Sequence, residues 1–107
     1  MRAPTGHQYP LRLESGGSVV TAVITEVAAG IRALEVDGTA LVETFAETSS
    51  PPGAAGIVLV PWPNRVAGGR WMLDGEPQQL DLTEPAKGNA THGLLRNTGY
   101  RLLEHEP

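Results

Sequence analysis

The sequence predicts an all-β fold, on the strength of β-branched runs, tight-turn dipeptides and the absence of helical periodicity. The run 18–27 is the clearest strand, because seven of its last nine residues are β-branched and suit a pleated sheet better than a helix. Asp37-Gly38 and Asp74-Gly75 each separate two extended runs and favour type I′ hairpin turns, whose central residues need positive φ. No segment shows the apolar spacing of an amphipathic helix. We therefore expect antiparallel strands joined by hairpins.

Turn-forming residues divide the rest of the chain into further extended runs. These are predicted at 11–14, 31–36, 39–42, 57–60, 70–73, 77–82 and 100–103. Residues 43–55 hold two prolines and several small polar residues, and are predicted to form a loop. Residues 1–10 are predicted to be a disordered lead-in, because they hold two prolines and a glycine and show no periodicity. The length of 107 residues fits one domain or part of one.

Composition excludes several functional classes. The chain is 40% hydrophobic and 19% charged, as expected for a folded globular protein. The net charge is −4 and the few cations are scattered, which argues against a nucleic acid or an anionic membrane as partner. There is no cysteine, no apolar signal segment at the start and no run of the roughly 20 apolar residues of a membrane helix. We therefore expect a cytoplasmic protein.

Side chains with useful chemistry concentrate between residues 57 and 94. The segment 61–65 (Pro-Trp-Pro-Asn-Arg) carries an aromatic ring, an amide and a guanidinium on a backbone that two prolines restrict. Arg65 can fork two hydrogen bonds to neighbouring hydroxyls or to a carboxylate. The residues alone leave two roles open for Arg65, namely ligand binding and a structural ion pair.

Four further residues of this stretch are candidates, each with an ordinary structural alternative. His92 can transfer a proton near neutrality, or be a partly buried histidine with satisfied hydrogen bonds. Trp62 can offer a flat face to a sugar ring or pack under the loop, and Asn64 can bind a ligand or cap the turn. Glu84 lacks a second carboxylate to work with, which weighs against catalysis. The two other histidines lie near the chain ends, outside zinc-ligand spacing, so no metal site is expected.

Residues 12–103 resemble the aldose 1-epimerase (mutarotase) family. The motifs that carry the resemblance are 61–71 (PWPNRVAGGRW), Asp74-Gly75, 80–84 (LDLTE) and 88–94 (GNATHGL). An Asn-Arg pair, a glycine-bounded hairpin and then Asn-x-x-His-Gly form a distinctive combination. The Pro-Trp-Pro form and the Glu-Pro-Ala before the histidine are similar to a bacterial aldose-epimerase-like subgroup.

The resemblance implies a galactose mutarotase-like β-supersandwich, of which this chain is the incomplete N-terminal part. It also implies a carbohydrate isomerase that interconverts the α and β anomers of an aldose. In that family a base takes the C1 hydroxyl proton, an acid protonates the ring oxygen, and the ring opens and recloses without a cofactor. Matching motifs imply that Arg65 holds sugar hydroxyls and that His92 lies near the ring oxygen and the C1 hydroxyl. The implied partner is a small sugar, such as an aldohexose.

The resemblance also implies groups that these residues do not include, namely a second histidine as general acid, a sugar-binding aspartate and a glutamate base. We therefore expect the 107-residue chain by itself to be inactive or nearly so, with open strand edges and an exposed apolar face. Two other functions stay open: a non-catalytic carbohydrate-binding or regulatory domain, and a fragment that self-associates through its strand edges. A sugar-phosphate epimerase would need a cationic pocket, to which Arg70 or Arg96 would contribute.

Overall fold

The computed structural model describes residues 2–106, and in that range it holds eight β-strands, two 3-10 turns and no α-helix. All paired strands are antiparallel, which confirms the predicted all-β fold and fits part of a β-sandwich. The described chain forms two compact units, residues 2–58 with 97–106 and residues 59–96. Because its helical segments are only three residues long, no helix among residues 2–106 has the length to cross a bilayer.

The first unit contains a four-stranded sheet in the order β1-β2-β3-β4. The strands are β1 (Gln8–Ser15), β2 (Ser18–Thr25), β3 (Ile31–Val36) and β4 (Thr39–Ala40). Asp37 and Gly38 link β3 to β4 with φ values of 49° and 82°, which confirms the predicted hairpin turn. The Asp37 carboxylate accepts the Val19 N–H at 2.8 Å, and this hydrogen bond lowers the pKa of Asp37.

The core of the first unit is thin. Every residue of β2 is at least half-buried, whereas Leu13 on the neighbouring β1 is 61% exposed. Ala28 is the one fully buried hydrophobic residue among the described residues of this unit. The described part of this unit has a single sheet, and the exposure of Leu11 and Leu13 on β1 is in line with the exposed apolar face that the sequence predicts.

Three sequence predictions for the first unit need correction. The lead-in predicted at residues 1–10 is wrong for 8–10, because β1 begins at Gln8, which pairs with Thr25. Thr5, also in the predicted lead-in, is only 1% exposed, while Met1 lies outside the described residues. β4 is shorter than the predicted run 39–42 and ends at Ala40. Residues 100–103 form no strand, since no strand within the described part of the chain pairs with them.

The second unit consists of two short antiparallel pairs. One pair is β5 (Arg65–Ala67) with β8 (Asn89–Thr91), and the other is β6 (Arg70–Leu73) with β7 (Glu76–Gln79). Asp74 and Gly75 join β6 to β7 with φ values of 49° and 79°, which confirms the second predicted hairpin. Ala90 and Thr91, each 1% exposed, place the most buried point of this unit on β8.

Two strand predictions in this region are wrong. The apolar run 57–60 forms no strand, and within it only Val60 makes an isolated parallel bridge, to Gly93. An apolar run indicates a tendency to be buried, but a strand also needs a neighbouring strand to accept and donate its backbone hydrogen bonds. β7 ends at Gln79 instead of reaching residue 82. β5 and β8 were not predicted, because three-residue strands are too short to show a period.

Candidate functional site

The pairing of β5 with β8 brings the main candidate residues together. Arg65 opens β5 and lies opposite Thr91, which closes β8. In an antiparallel pair, the residue before one strand therefore faces the residue after the other. Those flanking residues are Asn64 and His92, which are 28 positions apart in the sequence.

Asn64 and His92 bind each other through two hydrogen bonds. The His92 N–H donates to the Asn64 carbonyl at 2.8 Å, and the Asn64 N–H donates to His92 Nδ1 at 3.1 Å. Both residues adopt left-handed backbone, with φ of 65° and 59°. This conformation costs on the order of 1 kcal/mol for a non-glycine residue, although asparagine tolerates it better than most. The two hydrogen bonds, worth roughly 1 kcal/mol each, offset that cost.

Gly93 fixes the backbone on the other side of His92. Its φ is 78°, and a Cβ built on it would lie 1.9 Å from the carbonyl oxygen of Val60. The next residue, Leu94, donates its N–H to the same Val60 carbonyl at 2.8 Å. Only glycine fits this close approach of two backbones, and this explains sterically why the Asn-x-x-His-Gly motif has a glycine after the histidine. His92 is therefore held on both sides.

Arg65 and Glu84 form a bidentate ion pair. Arg65 Nε donates to Glu84 Oε1 at 2.7 Å, and Nη2 donates to Oε2 at 2.9 Å. The guanidinium, with smaller help from Asn89 and Lys87, lowers the pKa of the Glu84 carboxyl to about 2, against a desolvation that raises it. The same pair raises the pKa of Arg65. Glu84 is therefore ionised across the ordinary pH range, with one hydrogen bond from Arg65 to each oxygen and a longer one from the Asn89 amide to Oε1.

A tight loop holds Glu84 in place. The Glu84 N–H donates to the Asn89 carbonyl at 2.9 Å, and the Asn89 N–H returns a longer bond of 3.3 Å. Between them lies the 3-10 turn Pro85–Lys87, which Gly88 ends in the left-handed conformation. Just before Glu84, the Thr83 hydroxyl accepts the N–H of Thr91 at 2.9 Å. The carboxylate is therefore anchored to β8, the strand that pairs with the strand of Arg65.

The structure brings three of the four predicted site residues into contact. Arg65 follows Asn64 directly, and its Nη1 makes a long contact of 3.4 Å with the Asn64 side-chain oxygen. The main chain of Asn64, rather than its side chain, binds His92. Trp62 shares no hydrogen bond with the other three among the described residues. Its indole is half-buried with Nε1 enclosed, as in the predicted packing role.

Sequence reasoning missed the partner of Arg65. Glu84 was weighed only as a catalytic carboxylate, whereas the structure places it in an ion pair with Arg65. The available signals were its place in the 80–84 motif and the open ion-pair role of Arg65. Among residues 2–106, histidine, aspartate and glutamate side chains form no group of three that would hold a metal ion.

Comparisons with known proteins agree with this fold and these motifs. The antiparallel sheets and short hairpins define an all-β protein, consistent with part of a β-sandwich. The chain belongs to the aldose 1-epimerase family, whose family model matches residues 11–107. It is also 36% identical over 83 residues to a protein of Escherichia coli (strain K12) described as uncharacterized protein YihR. That match covers 78% of this chain and 27% of the relative, so the chain spans about a quarter of the relative's length.

Proposed function

We propose that residues 59–96 form one wall of the sugar site of an aldose 1-epimerase-like carbohydrate isomerase. The reaction is the interconversion of the α and β anomers of an aldose by acid–base ring opening. The observation that carries the proposal is the Asn64–His92 pair, which holds an imidazole at the end of the β5–β8 strand pair that also carries the ion-paired Arg65. Family membership supports a sugar as the ligand. The placement of residues 1–107 within a single domain of such an enzyme is part of the same proposal.

The Arg65–Glu84 pair is compatible with sugar binding by Arg65. A guanidinium has five N–H donors, and the carboxylate takes one from Nε and one from Nη2. Nη1 keeps only its long contact of 3.4 Å with Asn64 within the described part of the chain. Arg65 is also 43% exposed at its side chain, so its remaining donors are accessible to hydroxyl oxygens. The carboxylate thus orients the guanidinium while leaving donors for the ligand.

His92 is proposed as the residue that acts at the ring oxygen and the C1 hydroxyl. Its ring is half-buried and immobilised, as a group aimed at a reacting centre needs to be. Trp62 and Asn64 are proposed to line the same wall, Trp62 with its aromatic face and Asn64 with its side-chain amide. These four assignments rest on the family resemblance, and hydrogen bonds connect three of the four residues, namely Asn64, Arg65 and His92.

Ring opening needs a proton acceptor and a proton donor, and the second group must be another residue. Glu84 is a poor general base, because its pKa of about 2 lies far below neutrality and both of its oxygens are bound to Arg65. Among residues 2–106, no carboxylate is hydrogen-bonded to the His92 ring, whose partner is the Asn64 N–H. We therefore propose that the described residues do not catalyse mutarotation by themselves.

Polarimetry tests the proposed function. A protein that contains this chain together with the remaining residues of the fold is expected to speed the optical-rotation change of freshly dissolved glucose or galactose. The isolated 107-residue chain is expected to leave the spontaneous rate unchanged. A longer protein without activity on any aldose would contradict the proposal, and robust activity of the 107-residue chain would contradict the need for further groups.

A non-catalytic carbohydrate-binding domain is the second candidate, favoured by the presence of binding groups around a single imidazole. Saturable sugar binding without mutarotation by the longer protein would support it. Self-association through the open strand edges and the cytoplasmic location remain predictions of the sequence.

A further inference from the structure

We infer that the backbone amide of Asn64 fixes the tautomer of His92, so that the ring carries its proton on Nε2 and presents that N–H as a hydrogen-bond donor. Asn64 is in this sense a positioning residue, which acts through His92 by its main chain. The hydrogen-bond geometry stands independently of any activity, whereas its consequence for a sugar rests on the proposed function.

The chemistry of the contact decides the tautomer. A backbone N–H only donates, so the ring nitrogen that it approaches must be an acceptor with a free lone pair. Asn64 N lies 3.1 Å from His92 Nδ1, and the hydrogen bond points from amide to ring. In a neutral imidazole one nitrogen accepts while the other carries the hydrogen. Nδ1 is the acceptor here, so Nε2 carries the proton.

Main-chain contacts on both sides of His92 hold its backbone beside Asn64. The His92 N–H is bound to the Asn64 carbonyl at 2.8 Å, which closes a ring of two hydrogen bonds between the same two residues. Gly93 then packs against Val60 with no room for a Cβ. Rotation of the imidazole away from Asn64 would leave the amide hydrogen without this acceptor.

The consequence concerns the oxygen that His92 faces in a sugar. A ring with hydrogen on Nε2 donates to an oxygen lone pair and does not accept a hydroxyl proton at that nitrogen. The ring oxygen of an aldose has lone pairs and no hydrogen, so it meets this N–H only as an acceptor, and the C1 hydroxyl oxygen can accept the N–H as well. Removal of the C1 hydroxyl proton then falls to a different group. This assigns His92 to the oxygen-polarising side of the proposed reaction.

Nitrogen NMR of protein with isotope-labelled histidine tests the inference without any sugar. Long-range proton–nitrogen correlations at neutral pH are expected to show His92 Nδ1 unprotonated and Nε2 protonated, with the signals assigned by their loss in His92→Gln. His7 is the internal reference, because its exposed ring makes no hydrogen bond among the described residues. A His92 spectrum with the proton on Nδ1, or averaged like that of His7, would overturn the inference.

Two variants separate the Asn64 backbone from its side chain. Asn64→Gly keeps the N–H and tolerates φ of 65°, so His92 should retain its tautomer. Asn64→Val disfavours positive φ, so the His92 spectrum should move towards that of His7. Loss of the tautomer in Asn64→Gly would assign the effect to the amide side chain and overturn the role of the backbone. If Asn64→Val does not fold, the unmodified protein and Asn64→Gly still decide. The NMR measurement contains no sugar, so its outcome does not depend on the outcome of the mutarotation assay. The tautomer inference and the proposed function can therefore fail independently.

Discussion

Glu84 accepts two hydrogen bonds from Arg65, at 2.7 and 2.9 Å, although the two residues are 19 positions apart in the sequence. The carboxylate occupies the Nε edge of the guanidinium, so the donors on Nη1 are directed elsewhere. A flexible surface arginine loses side-chain conformational entropy when it binds a ligand. An arginine that an ion pair already holds in one rotamer loses less entropy on binding. We therefore propose that the pair orients Arg65 for ligand binding in addition to joining two segments of the fold.

Replacing Glu84 by glutamine tests this orienting role. Glu84→Gln keeps the shape but removes the charge and one of the two acceptors that bind Arg65. In an active protein containing this chain, the KM for the sugar should rise by roughly three- to tenfold with a smaller fall in kcat, because binding is affected more than chemistry. Steady-state polarimetry measures both constants.

The matched control is Glu76→Gln on β7, an exposed glutamate that forms no ion pair among the described residues. It removes the same charge and should leave KM within about twofold of the unmodified value. Equal changes in the two variants would show that net charge, rather than the orientation of Arg65, sets the affinity.

The ion pair also predicts a pH dependence of stability. The pKa of Glu84 is lowered from 4.5 to about 2 by Arg65, so the folded state prefers the ionised carboxylate. A lowered pKa in the folded state stabilises above the ordinary value and loses that contribution as pH falls towards the folded value. The urea midpoint of the unmodified protein should therefore exceed that of Glu84→Gln at neutral pH, and the gap should shrink between about pH 4.5 and about pH 2. A gap that does not change with pH over this range would contradict the ion pair.

Gly93 and Gly75 provide a direct test of the backbone packing beside His92. Their φ values are nearly equal, at 78° and 79°, but only Gly93 has a neighbour within 2 Å of an added Cβ, the carbonyl of Val60. Gly75→Ala should cost about 1 kcal/mol for left-handed backbone alone. Gly93→Ala should cost that amount plus a steric clash, on the order of 2–4 kcal/mol in total.

Urea unfolding followed by circular dichroism compares the two glycine variants in one protein. The predicted difference is a clearly lower midpoint for Gly93→Ala than for Gly75→Ala. Similar midpoints would mean that the backbone at Gly93 moves away from Val60 without cost, and that His92 is not held from that side.

Local turn chemistry explains which parts of the fold were predictable from the sequence. Asp37-Gly38 and Asp74-Gly75 carry their structure in two residues each, so both hairpins were predicted and confirmed. β5 and β8 have three residues each and depend on their mutual pairing, which leaves no period in the sequence. The run 57–60 had strand composition but lacked a neighbouring strand within the described residues. The sequence therefore predicted local turn conformation, but it did not predict which distant segments pair as strands.

The same distinction between local and long-range features applies to the candidate site. The motif resemblance selected Arg65 and His92, because the residue types and their order identify the family. It did not reveal that Glu84 binds Arg65, since a contact over 19 residues follows from the pairing of β5 with β8. Nor did it reveal that Asn64 acts through its backbone, because a main-chain N–H has no signature in the sequence.

The most direct test of the central claim is the mutarotation rate of a longer active protein carrying His92→Ala or Arg65→Ala. Each change is expected to remove most of the activity, by roughly a hundredfold for His92, in line with the usual contribution of a proton-transferring group. Arg70→Ala serves as the control, since Arg70 is exposed on β6 and makes no ion pair within the described residues. Near-normal rates for both His92→Ala and Arg65→Ala would contradict the account and remove this wall from the active site.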